Sequence, residues 1–362
     1  MPDASLGIAI IGLGRMGIAH AAIIRHIPGA RIAALVDRDK ALGKMAASMG
    51  LRAPFYTNMA EAIAVEKPSV AYICTPTFTH QAIVEELAAR GLDLFVEKPL
   101  GHTLEAATAM TRAAQGKDLI TGVGYNLSAE RTFAKARGLL AAGAIGAPVR
   151  YEASAYHGEV FKAREGWLFD PARSGGGAAT NIGAHILYYV SSCFGFPVSV
   201  AAHCKKLHSL YVEDDARVEL THQYRPAFTP LSPSQVEGKI HICWSVPNKP
   251  ILEFRARVEG EKGALSVSRE GIRLTLKEKW NEWEAGERRI HAADVLSEAA
   301  YNFSPEYGGE GYYVESARFL KCCAQRRPYP VDFASGAAVD RVLRGIYTSS
   351  NAGGAVQTLA YE

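Results

Sequence analysis

At 362 residues the chain exceeds the size at which one hydrophobic core keeps growing, so two domains are expected. Its 40 basic and 37 acidic side chains nearly balance, no basic run marks a nucleic-acid track, and no stretch of about 18 apolar residues marks a membrane span. The opening MPDASLG lacks the basic-then-apolar pattern of an export signal, so the expectation is a cytoplasmic protein whose partner is a small molecule.

Residues 8–20, IAIIGLGRMGIAH, read as a strand, a glycine turn and a helix. Gly12, Gly14 and Gly17 stand at G-x-G-x-x-G spacing: the first permits a tight turn, the second lets backbone approach a pyrophosphate, and the third lets helix and strand pack closely. The phosphates are expected at the positive helix N-terminus, beside Arg15 and Met16. A second strand, 31–36, ends in Asp37, twenty residues beyond Gly17, where a carboxylate accepts hydrogen bonds from ribose hydroxyls. Asp37 would repel a 2′-phosphate, which favours NAD over NADP, and Arg38 beside it tempers that preference. The competing reading of Asp37 is an N-cap for the helix that follows.

Residues 40–49 suit a helix, and 55–56 begin a short segment leading into a helix at 59–66. Residues 69–74, SVAYIC, form a buried strand that stops at Thr75-Pro76-Thr77, where an open parallel sheet presents its ligand crevice. His80 opens the next helix, to about residue 90. The strand 93–96 runs into Glu97-Lys98-Pro99, which points Lys98 into the crevice where a nicotinamide would lie. A helix at 103–115 and a strand at 119–125 bring the count to five or six strands alternating with helices, a doubly wound parallel sheet ending near Asn126.

Together GLGRMGIAH, Val36-Asp37, TPTFTH, VEKPLG and the later GGGAATNIGAH resemble, in order and over nearly the whole chain, the Gfo/Idh/MocA family of glucose–fructose oxidoreductase, inositol dehydrogenase and their relatives. The resemblance implies a Rossmann domain, placed at 1–126, followed by an α/β domain at 127–362 built on a large, mostly antiparallel sheet used partly for oligomer contacts. The last helix is allowed to pack back on the first domain. It also implies sugars, inositols or similar polyols as substrates.

The second half supports that reading from its own residues. A helix at 129–142 precedes a strand at 148–155, and 167–177 is a loop ending in Gly175-Gly176-Gly177. Residues 178–193 are helical, with Asn181 and His185 four apart on one face. Strands of period two follow at 198–205, 216–224, 238–245, 251–259, 264–267 and 272–276, with an exposed loop at 225–235, and helices close the chain at 312–326 and 339–350 before a short segment at 353–361. An open sheet of this size is expected to leave an apolar face that partners cover, as in a homodimer or homotetramer. The six cysteines show neither C-x-x-C nor Cys/His metal spacing and read as reduced, mostly core residues, with no metal expected.

Moving a hydride from a carbinol carbon to nicotinamide calls for a proton acceptor near neutral pKa, which favours histidine. His185 is the candidate, and the resemblance supports it. Lys98 is assigned to hydrogen-bond the reacting oxygen and favour the alkoxide. Asn181 stands where the resemblance leads one to expect aspartate; it keeps the shape but loses a charge that stabilises an imidazolium by about 1–3 kcal/mol. Either Asn181 reads a substrate hydroxyl, or the redox chemistry departs from simple polyol oxidation. The cofactor wall is assigned to Gly12, Gly14, Arg15, Met16, Gly17, Asp37, Arg38, Thr75, Pro76, His80, Glu97, Lys98 and Asn126. The substrate wall is assigned to Tyr156, Arg164, Trp167, Asn181 and His185, with His157 and Asp170 as further neighbours. The expected function is an NAD-dependent sugar, inositol or polyol oxidoreductase; the alternative is a glycoside hydrolase or lyase with tightly bound NAD in an internal redox cycle.

Overall fold

The computed structural model describes residues 5–162, 165–224, 234–299 and 309–361. Six short strands form a wholly parallel sheet: β1 (Leu6–Ile11), β2 (Ala30–Val36), β3 (Phe55–Tyr56), β4 (Val70–Ile73), β5 (Asp93–Val96) and β6 (Thr121–Val123), in the order β3-β2-β1-β4-β5-β6. Strands β4 and β5 are buried throughout and β1 nearly so, because helices cover both faces, which is why they read as continuous apolar runs. The strand order reverses direction between β1 and β4, and the register pairs Ile11 with both Val36 and Ile73. The glycine turn, Asp37 and Thr75 therefore leave the sheet side by side at a topological switch point, where open α/β sheets bind ligands.

Residues 55–56 are not a lead-in but a strand, with Phe55 and Tyr56 beside Leu35 and Val36. Two residues are too few to show a period. The helix Lys40–Ser48 is capped by Asp39, whose carboxylate accepts the Ala41 N–H, so Asp37 is not the N-cap.

The second sheet has nine strands: β7 (Pro148–Tyr156), β8 (Pro197–Lys205), β9 (Asp215–Tyr224), β10 (Ser234–Cys243), β11 (Glu253–Gly260), β12 (Gly263–Ser268), β13 (Gly271–Leu276), β14 (Gly286–His291) and β15 (Gln357–Thr358). Every pairing is antiparallel except β7 with β10. Sequence reasoning missed β14 and β15, the former because GERRIH is a charged edge strand without an apolar face. The loop expected at 225–235 falls outside the described residues over 225–233, and β10 begins at Ser234.

One face of this sheet is apolar and covered by the helices Arg131–Ala141 and Ala184–Phe194; it carries Tyr151, Ala155, Val218, Leu220, Ile240, Ile242, Phe254 and Val258. The other face carries Arg217, Glu219, Lys239, Arg255, Arg257 and Arg273. Among the described residues this outer face is therefore not the apolar one expected from the strand count, because alternation puts mostly charged and polar side chains on it.

The two C-terminal helices return to the first sheet. From Gly311–Gln325, Phe319 packs 5.2 Å from Phe95 between ring centres. From Phe333–Asn351, Asp340 accepts the Gly101 N–H at 2.8 Å. Among the described residues no helix is long and apolar enough to cross a membrane.

Candidate active site

A deep cleft runs from the switch point of the first sheet to the helix-covered side of the second. Its floor is main chain. Gly12 has φ +92°, and a Cβ there would meet Cys74 and Thr75 backbone at 2.9 Å. A Cβ on Gly17 would lie 1.8 Å from the Gly12 carbonyl oxygen, whereas one on Gly14 would meet nothing within 4 Å among the described residues. The three glycines thus divide into a turn, an open approach and a close packing, the division a pyrophosphate site needs. Asp37 accepts the Leu13 N–H at 2.7 Å and the Asp39 N–H at 2.9 Å, so its carboxylate is fixed against the turn. Each oxygen keeps a lone pair for a ribose hydroxyl. These features fit NAD, with Arg15, Met16, Arg38, Thr75 and Pro76 also along the cleft.

Glu97 and His80 lie in the wall but are committed to protein partners. Glu97 is buried, with Oε1 2.7 Å from His20 Nε2 and Oε2 accepting the Lys98 N–H. His80 places Nδ1 3.0 Å from the Leu100 carbonyl and Nε2 2.9 Å from that of Thr75. Both stand in the cleft lining, as the cofactor-wall assignment expects, and these bonds also tie the Thr75 and Lys98 loops in register.

Lys98 reaches across the cleft. Its Nζ donates to Asn181 Oδ1 at 2.9 Å and to the Asn181 carbonyl at 3.0 Å. Asn181 lies not in an α-helix, as its spacing from His185 suggested, but in a single π-helical turn, Ala179–Gly183, that leads into Ala184–Phe194. Such turns are concentrated at functional sites. The triple glycine before it is required by close approach. Cβ atoms on Gly175, Gly176 and Gly177 would meet His102 O at 2.2 Å, Tyr347 Oη at 1.9 Å and Glu213 O at 2.0 Å. Glu213 then fastens the turn, accepting the Gly177 and Ala179 N–H groups and the Tyr347 hydroxyl.

His185 is 4% exposed, with its ring edge-on to Phe254 and Tyr125. Its Nδ1 is buried and has no hydrogen-bond partner among the described residues. Burial first, and then the charges of Lys98 and Arg269, hold its pKa well below the usual histidine range, so it is neutral at physiological pH. Burial also brings Lys98 down to about 8, against the pull of Glu97 and Glu159, with Arg15 adding to the fall. One site thus holds an uncharged imidazole and a cation within reach of its own titration.

Among the remaining assignments, Asn126 and Trp167 line the cleft, as does His157. Tyr156 does not. It projects from the outer face of the second sheet, where its hydroxyl lies 3.0 Å from His241 Nδ1. Asp170 caps the short helix Pro171–Ser174 by accepting the Ala172 N–H. Arg164 lies outside the described residues. Sequence reasoning missed three cleft residues. Glu159 is held by His157 Nδ1 at 2.9 Å, which lowers its pKa, and its charge reaches Lys98. Arg269 is locked by Glu130 through contacts of 2.8 and 2.9 Å. Arg173 stands over the Phe78 ring at 4.3 Å. Only Glu159, directly after a strand end in HGE, had a local signal.

The model of an oxidoreductase family with an NAD-binding Rossmann fold matches residues 6–125, and that of the GFO/IDH/MocA C-terminal domain matches 133–266. An uncharacterized oxidoreductase of Schizosaccharomyces pombe is 24% identical over 83% of this chain and 84% of its own length. The scyllo-inositol 2-dehydrogenase (NAD(+)) of Bacillus subtilis is 30% identical over 40% of this chain, which covers 42% of that enzyme. Levoglucosan dehydrogenase in complex with NADH and levoglucosan shares the fold at a TM-score of 0.83 and 20% identity, over 98% of this chain and 99% of that one.

Proposed function

The chain belongs to the Gfo/Idh/MocA family of NAD-binding oxidoreductases, and from that premise we propose that it oxidises a carbinol carbon of a neutral sugar, inositol or related polyol with NAD. The observation that carries the proposal is the meeting of Lys98, Asn181 and neutral His185, whose Nδ1 has no hydrogen-bond partner among the described residues, beside a glycine turn shaped for a dinucleotide. NAD supplies the hydride acceptor when bound.

The protein's part is to hold the alcohol and move its proton. Charged Lys98 donates to the carbinol oxygen and favours its anionic form, an electrostatic contribution worth about 10²–10³ in rate. Neutral His185 takes the hydroxyl proton, and burial of its ring keeps it free to do so. Asn181 aims the lysine through its carbonyl and amide oxygens. The carboxylate that position 181 lacks is partly replaced by Glu159, whose field favours the charged lysine. Trp167 offers an apolar face for a ring, and Glu159 offers acceptors for hydroxyls. The names of the relatives, inositol and levoglucosan dehydrogenases, support this substrate class.

The test is a panel of polyols, aldoses and anhydrosugars with NAD, read as growth of the reduced-nicotinamide absorbance. Turnover with at least one neutral polyol is expected. Sugar release from glycosides without net cofactor reduction would replace this reading with an internal redox cycle.

A further inference from the structure

A second cluster of chemistry-bearing side chains lies on the outer face of the large sheet, facing away from the cleft. Asp215 of β9 stands directly opposite Cys243 of β10 in antiparallel register. His241 lies two residues before Cys243 and therefore on the same face. His241 Nε2 is 2.6 Å from Asp215 Oδ2, and the ligand atoms of all three side chains lie within 4.8 Å of one another. From the other side, Tyr156 of β7 pairs with Cys243 and sets its hydroxyl 3.0 Å from His241 Nδ1. The Ser245 N–H donates to Cys243 Sγ at 3.4 Å.

Two chemistries use such residues, and the geometry chooses between them. In a nucleophilic relay the imidazole turns one nitrogen to the carboxylate and the other to the thiol. Here Nε2 is taken by Asp215 and Nδ1 by Tyr156, so neither nitrogen is left to draw the thiol proton. Three different donor atoms gathered within 4.8 Å of one another are the makings of a cation site. A carboxylate oxygen, an imidazole nitrogen and a thiolate sulfur suit a borderline ion, whereas magnesium and calcium prefer oxygen alone. We propose that Asp215, His241 and Cys243 form a three-ligand zinc site with a fourth position open to water.

The surroundings match that use. A metal-bound histidine commonly has its second nitrogen held by an outer partner, here Tyr156, and a thiolate is steadied by a nearby N–H, here that of Ser245. Zinc bonds of about 2.0–2.3 Å place tetrahedral ligands about 3.3–3.6 Å apart. Asp215 and His241 must therefore part by less than about 1 Å from their present 2.6 Å, within the reach of side-chain rotation. His241 is partly open to the groove on this face, which gives the ion an entry. Linear spacing could not reveal the site, because one ligand comes from the neighbouring strand.

The test uses the full chain, stripped with a chelator and titrated with cobalt(II) as a spectroscopic probe, then with zinc. One equivalent of cobalt is expected to bind with a thiolate-to-metal charge-transfer band that zinc abolishes. Cys243→Ser should remove the band, Cys204→Ser should keep it, and Tyr156→Phe should weaken zinc binding about tenfold or more. As a reading independent of any variant's folding, zinc should raise the melting temperature of the wild-type chain. Absence of stoichiometric cobalt binding to the wild type, or an unchanged band in Cys243→Ser, would overturn the proposal.

Discussion

The two walls of the cleft are built from different materials. The wall contributed by the parallel sheet is mostly main chain: its form follows from where Gly12, Gly14 and Gly17 leave no room, or leave it open, for a Cβ. The opposite wall is made of side chains, Asn181, His185, Glu159 and Arg269, which Lys98 reaches from across the cleft and which buried carboxylates such as Glu213 and Glu130 help to fasten. A wall of backbone is specified by local sterics and is intolerant of added atoms. A wall of side chains is specified by tertiary contacts and responds to charge.

The largest effect should come from crowding the first wall. Gly17→Ala puts a methyl 1.8 Å from the Gly12 oxygen, so the turn and helix must part. We expect NAD affinity by calorimetry to fall by more than about a hundredfold and stability to fall by about 1–3 kcal/mol. Affinity within a few-fold of wild type would show that the turn yields, and the distinction between the walls would fail.

Among the side chains that meet the second wall, Lys98→Ala should leave NAD affinity within a few-fold while lowering kcat about 10²–10³-fold. A change confined to KM would make the lysine a mere substrate contact. The lysine's charge gives the next, smaller effect. Its pKa of about 8 is depressed by burial, so the charged form persists below that pH and is lost above it. The kcat/KM for oxidation should therefore decline above about pH 8. Asn181→Asp sets a carboxylate at the 2.9 Å contact and should carry this alkaline limb upward by about one unit or more. An unmoved limb would assign it to another group. The smallest effect is expected from Tyr156→Phe, outside the cleft, where kcat and KM should both stay within about twofold, as for surface changes remote from a site.

Legibility follows the same division. The G-x-G-x-x-G turn, Asp37, Glu97-Lys98-Pro99 and the triple glycine before Asn181 and His185 could be read because each meets a local geometric demand. Tyr156 was misplaced although the information was present: in PVRYEASAY the apolar positions 151, 153 and 155 share one parity and 156 falls on the other. The strand at Phe55–Tyr56 is too short to show a period, and β14 is too charged. Glu213, Arg269 and Glu130 were illegible for a stronger reason. Nothing near them in the chain distinguishes them from surface charges, and only the assembled fold turns them inward.

The most direct test of the account is to supply the turned-over polyol with deuterium on its carbinol carbon and follow the label, in wild type and in His185→Asn. Wild type is expected to deliver the deuterium to the reduced nicotinamide, and the variant to do so about 10²–10⁴-fold more slowly while still binding NAD. Deuterium that stays with the sugar or appears in water, or an undiminished rate in the variant, would contradict it.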